Sequence, residues 1–475
     1  MAEESWHAAR LIPTSGINGA EEQERRATSA LLAVMSSVRE FGKAITKPLG
    51  APNGAIDTFI EVPFALGEAK HRPDGLIRIR KGQTIWTALV EVKTGTNRLQ
   101  AAQLEVYLDI ARDQGFDALL TISNEIAPMA GVHPTVVDRR KTRKIPLHHL
   151  SWTQVLTEAV MQKTHRGVSD PDQAWILGEL IRYLEEPRSG AMEFEDMGQS
   201  WVSVRDATTH GTLRPYDKAA AEVSSRWDQL VRYACLRFGR SLGIEVQPLL
   251  SKRELADPSS RTQAVVASLC RDGSMTGALR IPGTAGPISL CADLRAGRVS
   301  AWLEVEAPQT GKPTTRVNWL VRQLKDAPAT ARVDAFTVHG RGLSGSALLG
   351  KLREDPTALV DVKRELRAFR VVVSAPMGTK RGQGRGSFVG SVLDLLDAFY
   401  ASTVQNVKPW SATPPKFRPP PPPDPTVSEQ LGSTALSSQD GPTTEDRRRP
   451  VTDPEPSAAA MTATTADKEP PTSPG

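Results

Sequence analysis

The stretch that decides the fold is Arg72-Pro73-Asp74-Gly75-Leu76-Ile77-Arg78-Ile79-Arg80, then Lys81-Gly82-Gln83-Thr84, then Ile85-Trp86-Thr87-Ala88-Leu89-Val90-Glu91-Val92-Lys93. Two apolar, β-rich runs flank a short polar connection, which is the pattern of a β-hairpin. Pairing Arg80 with Ile85 across a four-residue connection sets a register in which Asp74 stands opposite Glu91. Side chains alternate along a strand, so Asp74, Arg78, Arg80, Thr87, Glu91 and Lys93 share one face, while Ile77, Ile79, Trp86, Ala88, Val90 and Val92 share the other. One face is expected to build the core and the other to carry charge. Directly opposed side chains bring their Cβ atoms to about 4.5 to 5.5 Å, where two carboxylates repel unless something neutralises them. A divalent cation with a preference for hard oxygen ligands does so, and Mg²⁺ is the expected ion, with Mn²⁺ as the alternative. Lys93, about 6.5 Å beyond Glu91 along the same strand, faces the same way and would offset phosphate charge or act on a metal-bound water.

Outward from the hairpin, apolar periodicity predicts a helix over 21–41 through Leu31, Met35 and Val38, and an extended segment over 57–66. A helix is expected over 97–114, carrying Leu99, Leu104, Leu108 and Ala111 and ending at Gly115. Short strands follow over 117–123 and 144–150. Two helices over 151–186 form a connector reaching residue 200, closed by Glu186-Pro187-Arg188-Ser189-Gly190. A second α+β domain spans 201–407. Its expected helices lie at 218–242, 316–325 and 387–400, and its strands at 264–270, 288–294, 300–306, 333–338 and 369–374. Residues 1–20 are read as a flexible N-terminus. Residues 408–475, with the run Pro419 to Pro423, are read as a disordered Pro/Ser/Thr-rich tail that cannot bury enough apolar surface to offset ordering entropy.

Pro73-Asp74 followed by Glu91-Val92-Lys93, on a hairpin bracketed by helices and a further apolar strand, resembles the PD-(D/E)xK nuclease superfamily. That group takes in restriction-endonuclease-like, Holliday-junction-resolvase-like and RecB-type enzymes, and the resemblance covers the first third of the chain, residues 21–150. It implies an α/β fold with a restriction-endonuclease-like mixed sheet flanked by helices, with Asp74, Glu91 and Lys93 as catalytic residues. RecB-type members carry a Gln and a Tyr four residues apart on the next helix. Gln103 and Tyr107 match, on one helical face, though a Tyr beside Leu104 and Leu108 also has an ordinary place in a core. Relatives further place a Glu on the first helix. Glu24, in line with Leu31 and Met35, is the candidate third metal ligand beside Asp74 and Glu91, ahead of Glu40 and Glu61; a first-turn acid favoured by the helix dipole is the structural alternative. The implied activity is Mg²⁺-dependent hydrolysis of phosphodiester bonds, in DNA by analogy with the Gln/Tyr helix, with the C-terminal domain selecting substrate or partner. A module that holds nucleic acid without cutting it, or a scaffold in a stress or phage-defence response, is the competing expectation.

Composition sets the frame around this. The chain has 475 residues, 39% hydrophobic and 24% charged, enough for two cores. Its net charge of +5 and pI near 9.1 admit a polyanionic partner without demanding one. Cys235, Cys270 and Cys291 stand far apart, so neither a zinc site nor a disulfide framework is indicated. No leader-like segment and no long apolar run is present, so a cytoplasmic protein without membrane contact is expected. A homodimer, and a protein partner held through the C-terminal domain or tail, are compatible with the sequence. Four further signals are weaker. The basic run Arg139-Arg140-Lys141-Thr142-Arg143-Lys144 could meet phosphates or be an ordinary solvated loop. The run from Gly378 to Gly386 is glycine-rich and basic but lacks a phosphate-loop ending, which favours a surface loop. His148 and His149 have no acid at metal-pair spacing and are read as structural. Ser300 to Glu306 echoes the segment around Glu91 with an acid in place of the lysine, which favours a recognition domain over a decayed nuclease repeat.

Overall fold

The computed structural model describes residues 11–12, 19–127, 129, 131–360 and 364–412. Of the tail expected over 408–475, residues 413–475 lie outside the described residues, as does most of the expected flexible N-terminus. The helix expected over 21–41 is two helices, α1 (Ala20–Ser37) and α2 (Arg39–Thr46), because Val38 adopts an extended conformation between them. The doubling back is tight. A Cβ on Gly42 would fall 2.1 Å from the Met35 carbonyl oxygen, so only glycine fits there. Likewise the extended segment over 57–66 divides into β1 (Ala55–Ile60) and β2 (Phe64–Leu66), which pairs with β3 (Ala69–His71) in a small separate hairpin. Glu61 between them has a φ of 52°, incompatible with a continuous strand.

The central hairpin is β4 (Gly75–Lys81) and β5 (Thr84–Val92). Its register is the expected one, with Arg80 opposite Ile85 and Gly75 opposite Val90, but Lys81 also pairs with Thr84. The connection is therefore the two residues Gly82 and Gln83, with Gly82 at a φ of 58°. After β5 come α3 (Ala101–Asp113), β6 (Ala118–Ser123), α4 (Arg139–Thr142), β7 (Leu147–Ser151), α5 (Trp152–Val160) and α6 (Pro171–Glu185). These strands form a five-stranded mixed sheet in the order β1-β4-β5-β6-β7, antiparallel through β5 and parallel from β5 to β7. The first lobe is an α/β layer structure. Ile77, Ile79, Trp86, Ala88, Val90 and Val92 pack against α1, α2, α5 and α6, as their alternation requires.

The other face departs from expectation. It carries more than charge: Arg80 is exposed at one end, but Leu76 and Leu89 on that face are buried beneath Leu104, Tyr107 and Leu108 of α3. Apolar residues on both faces are the mark of a sheet covered on both sides. The polar residues at one end of this sheet are consequently enclosed.

The second lobe begins with α7 (Trp201–Thr209) and α8 (Lys218–Leu242), then β8 (Gln247–Pro248), α9 (Lys252–Ala256) and α10 (Pro258–Asp272). The strand expected over 264–270 is thus the end of a helix. Asp257 caps that helix, Pro258 starts it, and Gly273 closes it in the left-handed conformation. Next come β9 (Ser274–Arg280), β10 (Ile288–Asp293), β11 (Arg298–Glu306), α11 (Pro313–Gln323), β12 (Arg332–Thr337), β13 (Gly345–Leu348), α12 (Leu349–Glu354), β14 (Leu366–Pro376) and α13 (Phe388–Phe399). The strands form a seven-stranded sheet in which every pairing is antiparallel. That topology lacks the parallel half of the first lobe, which removes the notion of a decayed repeat around β11. Buried Trp227 and Trp152 anchor the two lobes, their indole N–H groups donating to Thr276 O and Lys93 O, both at 2.9 Å. Among the described residues no helix is long and apolar enough to cross a membrane.

Candidate active site

Asp74 is positioned by backbone bonds before its chemistry begins. Pro73 precedes it at the entrance to β4, its carbonyl accepts from Glu61 N at 3.1 Å, and its Oδ2 accepts from Val92 N at 2.7 Å. The carboxyl is thereby latched onto the neighbouring strand beside Glu91. Glu91, on the central strand, is 1% exposed. Its Oε1 pairs with Lys93 Nζ at 2.7 Å. Lys93 itself stands just past the strand end, held by its own amide to Ile122 O at 2.8 Å and by the Trp152 indole on its carbonyl. Its ammonium bridges Glu91 and Glu24, the latter at 2.8 Å. Asn97 Nδ2 donates to the other Glu24 oxygen at 3.2 Å.

The electrostatics follow from this enclosure. Burial first, and then the Asp74 charge, push the Glu91 carboxyl up from 4.5 to about 8. Burial also raises Asp74, partly opposed by the Val92 hydrogen bond and Lys93. For Lys93, burial favours the neutral amine but is outweighed by Glu91 and Glu24, so the ammonium is held above its ordinary value. Two adjoining carboxyls with one cation between them need either a proton or a second cation. Glu91 stands in register with Thr121 on β6, and Thr121 with His149 on β7, so one polar row crosses the sheet. His149 Nε2 donates to Glu125 O at 2.6 Å, which leaves Nδ1 to accept from the Thr121 hydroxyl at 2.9 Å; His133 Nε2 lies 2.8 Å from the same hydroxyl. Burial lowers His149 to about 4. It is a neutral structural histidine, as expected.

Gln103 and Tyr107 arrive on α3. Gln103 Nε2 donates to Tyr107 Oη at 3.2 Å, and that hydroxyl reaches toward Arg72 O at 3.5 Å, the outer limit of a hydrogen bond. Burial and then the Glu91 charge push the Tyr107 hydroxyl up to about 12. Tyr107 is also a core residue, packed with Leu104 and Leu108 as the structural alternative for it expects. Of the acids named with Glu24, Glu40 is engaged by Ser169 through both amide and hydroxyl, on the far side of the helix break. Glu61 pairs with Arg25 at 2.9 Å.

The three acids named as a metal set, Asp74, Glu91 and Glu24, do not gather as one. Among the described residues no group of three or more His, Cys, Asp and Glu side chains is disposed to hold a metal. The physical reason is the Lys93 ammonium between Glu24 and Glu91. What the site offers a cation is a carboxyl pair, the buried Glu91 and Asp74, of which Asp74 lines a cleft of about 230 Å³ with Glu24, Thr28, Glu61 and Arg72. Arg72 is exposed on that rim. Larger clefts of about 510 and 600 Å³ run along the seam between the lobes, lined by several acids, of which Glu193 is 57% exposed. Chemistry rather than size marks the smaller cleft. Asn97, Thr121 and Arg72 had no sequence signal of their own, since each joins the site through a turn or a neighbouring strand. No protein-family model matches this chain, and no curated protein matches it.

Proposed function

We propose that the first lobe is a metal-dependent nuclease centre of the PD-(D/E)xK type, with a restriction-endonuclease-like fold, hydrolysing phosphodiester bonds in DNA. The observation that carries it is Glu91: a carboxyl almost fully buried, adjoining a second carboxyl, and paired with an ammonium that it shares with Glu24. An arrangement this costly is retained where it does chemistry. The helix, hairpin, helix and strand order around it supports the same assignment. Asp74 and Glu91 would hold Mg²⁺ or Mn²⁺, two hard oxygen donors being what such an ion takes from protein when substrate and water supply the rest. When bound, the ion polarises the phosphoryl group and makes a bound water more acidic. Lys93, kept protonated by Glu91 and Glu24, offsets charge on the phosphate and is unsuited to take a proton. Glu24 and Asn97 aim that ammonium. Arg72 offers a rim cation to an adjacent phosphate. The second lobe, which packs α8 against α5 behind the sheet, is assigned recognition and no part in bond breaking.

Incubation of the purified chain with linear, nicked, branched and single-stranded DNA, and with RNA, in Mg²⁺ or EDTA tests this directly. Cleavage that appears with Mg²⁺ and vanishes in EDTA is the expected result. Cleavage that survives Asp74→Ala or Lys93→Ala would defeat the proposal. Tyr107→Phe removes one neutral hydroxyl from a ring that stays packed, so it should slow cleavage by about tenfold or less, the worth of one hydrogen bond. Product formation by Tyr107→Phe under single-turnover conditions measures this, and complete loss of activity would give the hydroxyl a larger role.

A further inference from the structure

The basic run over 139–144 is divided by the fold into one anchored cation and four free ones. Lys141 points inward onto α3, its Nζ 2.6 Å from Asp109 Oδ2 and 3.2 Å from Glu105 O. Asp138 caps α4 by accepting from Arg140 N at 2.9 Å, while its own amide donates to Glu105 Oε1 at 3.1 Å. Arg139, Arg140, Arg143 and Lys144 are all exposed, and none of the four is ion-paired among the described residues. The nearby acids are already spent, Glu105 and Asp109 on Lys141 and Asp138 on its own helix.

The segment that carries the patch is also tied to α3 and to the sheet. Glu105, which fastens α4, lies between Gln103 and Tyr107 on α3. At the other end of the segment, His133 bonds to Thr121, the register neighbour of Glu91.

We propose that Arg139, Arg140, Arg143 and Lys144 form a backbone-tracking surface for DNA, contacting phosphates outside the cleft and to one side of the scissile bond. Four unpaired cations in a row, mounted on a helix that is itself clamped, complement a repeating anion. One exposed apolar neighbour, Val136 at 88%, is too little to enter a lipid surface. Only the direction in which the DNA leads rests on the nuclease assignment; the binding does not.

The test measures binding in EDTA, without turnover, of short labelled duplex to the full chain as a function of salt. Each lost phosphate contact lowers the slope of log K against log salt by about 0.9. The combined variant Arg139→Gln, Arg140→Gln, Arg143→Gln and Lys144→Gln should therefore reduce the slope by roughly 3 to 4. A control removing the same charge from the second lobe, Lys252→Gln, Arg253→Gln, Arg280→Gln and Arg298→Gln, should leave it within one contact of the wild type. An unchanged slope in the first variant, or an equal fall in the control, overturns the proposal. So does loss of binding to anionic phospholipid vesicles with DNA binding intact. Cleavage assays on the same proteins separate the two ideas. Slope loss without any wild-type cleavage keeps the surface and removes the nuclease, whereas Mg²⁺-dependent cleavage with an unchanged slope does the reverse.

Discussion

Glu91→Gln and Asp74→Asn are each expected to lower Mg²⁺-dependent cleavage by at least about a thousandfold while leaving the fold as stable as before. The activity loss follows from removing one of two hard oxygen donors. A metal contributes several kcal/mol of charge stabilisation in the transition state, and about 4 kcal/mol is about a thousandfold in rate. The stability outcome is less ordinary, because a buried polar residue usually costs when altered. Here burial and Asp74 hold a proton on Glu91 up to about 8, so Gln resembles the form present at neutral pH. Asn at 74 can still accept from Val92 N through its carbonyl and can donate its amide to Glu91. Calorimetry in EDTA should find both variants within about 1 kcal/mol of the wild type or above it. Saturating Mg²⁺, which raises the melting temperature of the wild type through binding to the native state alone, should do so for neither variant. Retained cleavage would refute the assignment of the pair, and a collapsed fold in both variants would show that they serve structure.

Much of this site could be read from residue order, because the hairpin's constraints are local. A short turn and a period of two are enough to oppose Asp74 and Glu91, and the structure has that register. Glu24 could be chosen by helical phase, since α1 is straight from Ala20 to Ser37 and carries it to Lys93. Its partner could not be chosen, since whether it meets a cation from the protein or a metal depends on where Lys93 Nζ comes to rest. The failures are of a different kind. Leu76 and Leu89 look like interruptions in a charged face until α3 covers them, a contact set by chain folding between distant residues. Ala264 to Cys270 is a short apolar run, and such runs suit a strand or a helix equally by pattern. The caps Asp257, Pro258 and Gly273 decide it, and they lie outside the run itself. The break at Val38 rests on Gly42 meeting the Met35 carbonyl, a close approach that periodicity does not register.

Proton linkage gives the second large effect, and its sign is determined by Glu91. An unfolded glutamate releases its proton near 4.5, while the folded one keeps it up to about 8. Between those values the native state binds more protons than the unfolded state, so this group's stabilisation is complete at low pH and is lost as pH rises toward about 8, by a few kcal/mol. Lys93 does not enter this window, because its folded value is raised and its contribution persists to higher pH than its ordinary 10.5. His133, His148 and His149 oppose the trend, since burial lowers all three and their cost appears as pH falls through 6.5. The difference in melting temperature between wild type and Glu91→Gln in EDTA cancels the histidines and should move steadily in favour of the variant from about pH 5 to about pH 8. A bound cation must displace the Glu91 proton, so Mg²⁺ affinity should rise about tenfold per pH unit below 8, on the order of a hundredfold between pH 6 and pH 8. Titration calorimetry in buffers of different ionisation enthalpy would count one proton released per ion bound. An affinity that stays flat across that range would mean that the ion does not bind at Glu91.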